Sequence, residues 1–286
     1  MTTARNAAER FTGRRAAAER PSSGGVTEVT LEGGRTVVVK RGDGPGSVRA
    51  EAAGLRWLAE AAVVRVPVVF GNDEDWLVTE RVPQGPPGPG AAVRFGRELA
   101  ALHAAGAPAF GSGPPGGPRE AYIGRARMRN VPDIGAGWPD WYAEHRVLPY
   151  LRRAVDGGVL TGAEGRAVER ACERLPQLAG PAEPPARLHG DLWNGNVLWD
   201  GDGRVWLIDP AAHGGHRETD LAMLRLFGCP HLERVLEGYQ EVAPLAEGWE
   251  ERVGAHQLFP LLVHVVLFGR SYAERAVAAA RGTPAG

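Results

Sequence analysis

The stretch Leu188-His189-Gly190-Asp191-Leu192-Trp193-Asn194-Gly195-Asn196 holds two of the five asparagines in a chain of 286 residues. The residues after Asn196 decide how it is read. Val197–Trp199 and Val205–Ile208 are apolar runs separated by Asp200-Gly201-Asp202-Gly203, a strong turn sequence, so together they read as a β-hairpin. A hairpin returns the chain to its starting point, which sets Asn196 at the entry beside Asp209 at the exit. An amide oxygen and a carboxylate so placed suit one shared hard cation such as Mg2+, which prefers oxygen ligands. Asp191 stands five residues before Asn196. That is the Asp-x-x-x-x-Asn spacing of a phosphoryl-transfer loop, in which the Asp orients the attacking hydroxyl and accepts its proton.

The neighbouring residues carry plainer readings. Asp200 and Asp202 are turn residues. His189 reads as a structural histidine that fixes the loop through hydrogen bonds, and Asp220 as a helix N-cap or a buried acceptor holding the same loop. Trp193 is either a core anchor or a wall of the substrate pocket. The candidate substrate contacts are Trp193, His189, His216 and His264.

Composition narrows the function classes. Hydrophobic residues make up 43% of the chain, enough for a substantial core, and 33 basic residues balance 34 acidic ones. Without a basic surplus, nucleic acid and anionic membrane are not expected partners. No signal peptide is expected in the Ala, Arg and Glu-rich segment 1–20, which reads as a helix, and no later stretch reads as a membrane span. Two cysteines, Cys172 and Cys229, form neither a disulfide framework nor a metal cluster, so a reducing, cytoplasmic setting is expected. The chain is expected to be a monomer. Of the 33 basic residues 32 are Arg, and the single Lys is Lys40. A chain that uses Arg for every generic positive charge keeps Lys where shape matters. A compact ammonium on a flexible stem fits against phosphate in a narrow space where a planar guanidinium does not.

Lys40 closes a strand. Val26–Leu31 and Arg35–Arg41 read as a hairpin about Gly33-Gly34, preceded by Gly24-Gly25, whose backbone N–H groups could approach a phosphate. From Ser47, a candidate N-cap, to about Ala61 the pattern is helical, and Glu51 on it is the natural partner for Lys40. Val66–Phe70 and Trp76–Val82 complete a mainly β unit, 1–82. The Pro/Gly segment 83–90 reads as a linker, and 91–286 as a mainly helical unit with helices over 93–105, 138–155 (kinked or divided at Pro149) and 161–178. The expected fold class is α+β in two lobes.

Several blocks resemble the fructosamine kinase (ketosamine kinase) family, within the aminoglycoside phosphotransferase-like enzymes of protein-kinase-like fold. They are HGDLWNGN at 189–196, LIDPAAHGGHRETDLAMLRLFG at 207–228, QLFPLLVHVVLFGRSY at 257–272, EAAGLRWL at 51–58, ELAALHAAGAPAFG at 98–111 and YIG at 122–124. The resemblance covers nearly the whole chain. It implies transfer of the ATP γ-phosphate to the 3-OH of a ketosamine such as a ribulosamine, erythrulosamine or fructosamine. The adduct then decomposes and frees the amine. Mapped onto this chain, Lys40 would hold the α/β-phosphates with Glu51 as its partner, and Thr79, Glu80 and Arg81 would bind adenine through the backbone. Asp191 would be the base, and Asn196 and Asp209 the Mg2+ ligands.

Some positions depart from the family pattern. Val26-Thr27 comes after the Gly pair in place of an acidic and a small polar residue, Asn194 replaces a Ser, and Ala121 stands before Tyr-Ile-Gly in place of Asn. A cysteine-based switch in the phosphate loop is not expected. An aminoglycoside or other small-alcohol kinase would share the same triplet, and a non-catalytic nucleotide-binding protein is a further alternative, disfavoured because Lys40, Asp191, Asn196 and Asp209 are all present.

Overall fold

The computed structural model of the chain describes residues 3–22 and 25–282. Strands β1 (Ala16–Pro21), β2 (Val26–Leu31), β3 (Thr36–Arg41), β4 (Val69–Asn72) and β5 (Trp76–Glu80) form one antiparallel sheet in the order β1-β2-β3-β5-β4. Because strand side chains alternate, β3 serves two environments. Val37 and Val39 are fully buried beneath α1 (Ala4–Thr12), with Val29 and Val78 beside them, whereas Val38 and Lys40 face the opposite side. On that side lies α2 (Ser47–Glu60), which packs Val48, Ala52 and Leu55 against Leu77. Glu51 and Leu55, one helical turn apart, are thereby turned toward Lys40.

Two expectations for this region need correction. The segment 1–20 is not one helix: Gly13 adopts φ 68°, ends α1 and redirects the chain into edge strand β1. β1 exposes five of its six residues, so it lacks the apolar alternation by which strands are read. Ser47 is not the N-cap of α2, because Gly46 holds that position in the left-handed conformation. The turn at Gly33-Gly34 forms as expected, with φ 91° and 83°.

Pro83–Gly88 has neither helix nor strand, and α3 starts at Pro89, inside the expected linker, and runs to Ala104. Next comes a hairpin that the sequence did not suggest, β6 (Glu120–Ile123) and β7 (Ala126–Arg129), turned at Gly124 with φ 52°. Beyond it lie α4 (Trp138–Tyr142), a π-helical turn over Ala143–Val147, α5 (Leu148–Asp156) and α6 (Gly162–Leu178). The π turn ends just before Pro149, which has no N–H to continue a regular ladder. Thr161 caps α6 in a capping box with Glu164. The remaining elements are β8 (Ala186–Leu188), β9 (Val197–Trp199), β10 (Val205–Leu207), β11 (His213–Gly215), α7 (Glu218–Phe227), α8 (Leu232–Val242), α9 (Trp249–Phe268) and α10 (Ala273–Arg281).

Contrary to the sequence expectation, the stretch Trp249–Arg281 is long and apolar enough to cross a membrane by length and composition. Its most apolar part lies within the protein: Leu258, Phe259, Leu261, Leu262, Val263 and Val265 are all buried in the core of the helical lobe.

Candidate active site

β9 and β10 pair with Val197 opposite Leu207 and Trp199 opposite Val205, and Ile208 N donates to Asn196 O at 3.1 Å. Asn196 and Asp209 therefore flank the open end of the hairpin, as expected. Asp209 has φ 51°, a left-handed backbone that Asp tolerates better than most residues. Its carboxylate meets the β-sheet side of the cleft: Lys40 Nζ lies 3.2 Å from Asp209 Oδ2 and 2.7 Å from Glu51 Oε2. Burial disfavours the Lys40 ammonium, but the two carboxylates outweigh it and raise its pKa, so the lysine stays charged.

The loop carrying Asp191 is held from below. β8 pairs with β11, placing Leu188 opposite His213. Buried Asp220 accepts from His189 N at 2.8 Å and Gly190 N at 3.0 Å, and its Oδ2 lies 3.2 Å from His103 Nε2. Asp220 is thus the buried acceptor, located in the first turn of α7 and not at its cap. His189 Nε2 donates to Ile208 O at 2.9 Å, while its Nδ1 accepts from Asp191 N at 3.3 Å, tying the loop to the hairpin. Gly190 has φ 81°, and a Cβ there would collide with Ala211 O, so only glycine fits.

Asn196 Nδ2 donates to Asp191 O at 2.8 Å and to Asp191 Oδ2 at 3.1 Å. This use of the NH2 group fixes the Asp191 carboxylate and leaves the Asn196 carbonyl oxygen as the atom available to a cation. Burial pushes the Asp191 carboxyl up to about 7, with the charges of Asp209 and Asp220 adding to the rise and the Asn196 bond opposing it. A carboxylate poised there can take a proton near neutrality.

Two cavities meet at these residues. One, of about 300 Å³, is lined by Asp191, Trp193, Asn196, Tyr122, Asn130 and neighbours. The other, of about 220 Å³, lies against the sheet among Val38, Leu77, Thr79, Leu198 and Ile208. Lys40, Glu51 and Asp209 line both and form their common wall. Thr79, Glu80 and Arg81 all border the second cavity, whose apolar walls suit a flat base. The donor set fits a hard cation: Asp209 offers the carboxylate oxygen that Lys40 does not engage, and Asn196 an amide oxygen.

Not every candidate is brought here. Gly24 lies outside the described residues, and Gly25, with φ 75°, accepts at its carbonyl from Arg41 N at 3.3 Å, one residue past Lys40. His189 is fully buried beneath the loop that its ring ties to the hairpin, it lines neither cavity, and it is withdrawn from the substrate contacts. His216 is also withdrawn: it is buried against His256 and Trp138, with ring centroids 4.8 and 4.9 Å away. His216, Glu218 and His256 approach closely enough for a metal, yet Arg252 takes both Glu218 oxygens at 2.6 and 3.0 Å, making an ion pair there. His264 stands outside the cavities, within an aromatic group that reaches Trp193 through Phe227. Tyr122 and Asn130 were missed as lining residues. The Tyr-Ile-Gly block was the signal for the first, and the unrecognised β6–β7 hairpin hid the second.

An antiparallel sheet and a mainly helical part meeting at two adjoining cavities, with Lys40–Glu51 on one side and Asp191, Asn196 and Asp209 on the other, define a phosphotransferase of protein-kinase-like fold. The sequence profile described as fructosamine kinase matches residues 26–281, and the chain belongs to that family. A relative from Thermus thermophilus named "Probable ketoamine kinase TTHA1179" is 37% identical over 253 residues, 88% of each chain. A crystal structure from Thermobifida fusca, provisionally named a fructosamine-3-kinase, is similar at 51% identity with a TM-score of 0.89, covering 97% of each chain. The macrolide 2'-phosphotransferase MphH of Brachybacterium faecium, at 16% identity and a TM-score of 0.59 over 98% of this chain and 97% of its own, shares the fold. The protein is an ATP-dependent phosphotransferase acting on sugar-like alcohol groups.

Proposed function

We propose that the protein phosphorylates the 3-OH of a ketosamine, the rearranged adduct of a reducing sugar and an amine, and so initiates removal of the sugar. The observation that carries this reading is the wall shared by the two cavities: a donor nucleotide on one side and a small polyol on the other would meet across Lys40, Asp209 and Asp191. In this reading residues 1–82 bind nucleotide, 83–90 link the lobes, and 91–286 carry the catalytic loop and the acceptor. Backbone groups of Thr79–Arg81 hold adenine, and Lys40, oriented by Glu51, holds the α/β-phosphates. Asp191 orients the 3-OH and accepts its proton as the oxygen attacks the γ-phosphorus and ADP departs. Asn196 and Asp209 would hold Mg2+, which supplies charge neutralisation at the β- and γ-phosphates.

The test is turnover on a ribulosamine, an erythrulosamine, a fructosamine and an aminoglycoside side by side, tracking ADP release and locating the phosphate by NMR. Phosphate at the 3-OH of at least one ketosamine is expected. Asp191→Asn should then lower kcat by about a thousandfold while ATP still binds, because the carboxylate acts in the transition state. Turnover of the aminoglycoside alone would overturn the ketosamine reading.

A further inference from the structure

Glu51 owes its place to the start of α2, and that start is held from across the acceptor cavity. The strap Gly42-Asp43-Gly44-Pro45-Gly46 joins β3 to α2. Gly46, with φ 76°, is the N-cap of the helix, and no side chain caps it. A backbone so rich in glycine has little stiffness of its own, so its contacts decide where it lies. At the sheet end Gly42 N donates to Asp75 O at 2.8 Å. Near the helix end Tyr122, from β6, donates its hydroxyl to Pro45 O at 3.1 Å. Gly44 packs on the same ring: a Cβ there would come within 2.8 Å of the Tyr122 hydroxyl oxygen and 3.2 Å of the carbon bearing it. A further tie, from Arg125 to Asp43 at 3.6 Å, joins side chains that are 74% and 47% exposed and contributes little.

The strap is also a wall of the acceptor cavity, which Gly42, Asp43, Ser47, Glu51 and Tyr122 all line. Beyond it α2 rests on the helical lobe. Ala50 packs against the core of that lobe, and a Cβ at Gly54 would meet Pro210 at 3.1 Å. Glu51 lies on the second turn of the helix, so a displacement of the first turn reaches its carboxylate almost undiminished. Lys40 lies between that carboxylate at 2.7 Å and Asp209 at 3.2 Å. If α2 withdraws, Asp209 is left as the nearer carboxylate, and the ammonium turns toward it and away from the position it holds beside Glu51.

We infer that Tyr122 is a positioning residue for the Lys40–Glu51 pair: through Pro45 it fixes the strap and the start of α2, and through its ring it couples occupancy of the acceptor cavity to the grip on the nucleotide. The inference rests on the roles given above to Lys40 and Glu51, and not on which acceptor is phosphorylated. An acceptor packed against the ring restrains Tyr122 in its bonded position, so less freedom remains to be lost when the nucleotide arrives. By linkage the nucleotide strengthens acceptor binding by the same factor.

Calorimetric titration of the full chain with Mg2+ and the non-hydrolysable ATP analogue AMP-PNP tests it. Without acceptor, Tyr122→Phe, which keeps the ring and loses the bond to Pro45, should weaken binding about fivefold. Gly44→Ala should do the same, because either the ring or the strap must move and the bond is lost in both cases. In the double variant the new methyl group meets only ring carbon, so the combined loss should stay near fivefold, where independent effects would multiply to about 25-fold. A saturating concentration of whichever compound is turned over in the four-substrate comparison above should tighten wild-type binding about threefold and leave Tyr122→Phe almost unchanged. Independent losses in the cycle, or an acceptor without effect on wild-type affinity, overturn the inference. So does Tyr122→Phe that raises only the KM of the acceptor, which would make Tyr122 a substrate contact alone, or that lowers only the melting temperature, which would make it a structural one. Lys40→Ala is the reference: if it leaves AMP-PNP binding intact, the nucleotide role of Lys40 and this inference fall together, whereas a result against Tyr122 alone leaves that role standing.

Discussion

Two groups of charged side chains in this protein contain much the same chemistry and are built for opposite ends. In the cleft, Lys40, Glu51 and Asp209 leave an open side: the Asp209 side chain is 47% exposed, and only one of its oxygens is engaged by Lys40. In the helical lobe, Glu218 is 3% exposed with both oxygens taken by the Arg252 guanidinium, and fully buried His256 lies 3.3 Å away. Burial would push the Glu218 carboxyl up, but His256 and Arg252 outweigh it and pull it to about 2. A carboxylate with a vacant oxygen facing a cavity can exchange partners during a reaction. One enclosed by a guanidinium cannot, and its contribution is to stability. What distinguishes the two is the unfilled valence, and not the presence of charge.

The largest expected effect probes the open group. Asp209→Ala should reduce kcat/KM for ATP by about a thousandfold, with the Mg2+ dependence moved to higher concentration, because the lost group carries the formal charge of the proposed ion site. Folding should lose only about 1 kcal/mol, the strain of alanine in the left-handed backbone at φ 51°, since Lys40 keeps Glu51 at 2.7 Å and the Asp209 side chain is exposed. Thermal denaturation monitored by circular dichroism checks that half of the claim. Collapse of the fold with little loss of activity per folded molecule would erase the contrast between the groups.

The closed group should respond the other way round. Glu218→Gln removes the countercharge of Arg252, whose side chain is only 7% exposed, and breaking a buried pair from one side costs about 3 kcal/mol. Urea titration at pH 7 measures it. Because the folded pKa of Glu218 lies below its unfolded value, the stabilisation is present above the unfolded pKa and is lost as pH falls toward about 2. The penalty of the substitution should therefore shrink in acid. Activity per folded molecule should stay within about twofold, since Glu218 lines neither cavity.

The contrast also explains which parts of the site could be read from the sequence. Asp191, Asn196 and Asp209 were legible because a hairpin closes on itself: its turn residues and apolar runs fix the proximity of its ends without any knowledge of the fold. Lys40 stood out because the chain has no other lysine. The sequence does not reveal which way a residue faces after a loop. His216 lies seven residues beyond Asp209 and looked like part of the same block, but β11 carries it away from the cleft into the core. Edge strand β1 was hidden by its exposure, and the β6–β7 hairpin by strands of four residues each. The aromatic group around His264 joins positions 193, 227, 264, 268 and 272, and only tertiary packing shows them to be neighbours.

The smallest expected effect is the sharpest test of that misplacement. Were His216 in the cleft, its ionisation would appear in the pH profile of turnover. Enclosed as it is, it should appear in the pH profile of stability. Burial holds the His216 pKa well below its ordinary value, with His256, Arg217 and Arg252 adding to the fall and Glu218 opposing it. Glu183 also faces the ring, at 3.8 Å. Folded His216 therefore stays neutral while the unfolded chain takes up a proton below about pH 6.5, so stability is full above that pH and declines beneath it. One such histidine contributes a slope of about 1.4 kcal/mol per pH unit. His216→Gln, which keeps polar atoms but cannot titrate, should flatten the decline between pH 6 and pH 5 by about that amount and leave the pH dependence of kcat/KM where it was. An unchanged stability slope with a shifted activity profile would return His216 to the cleft.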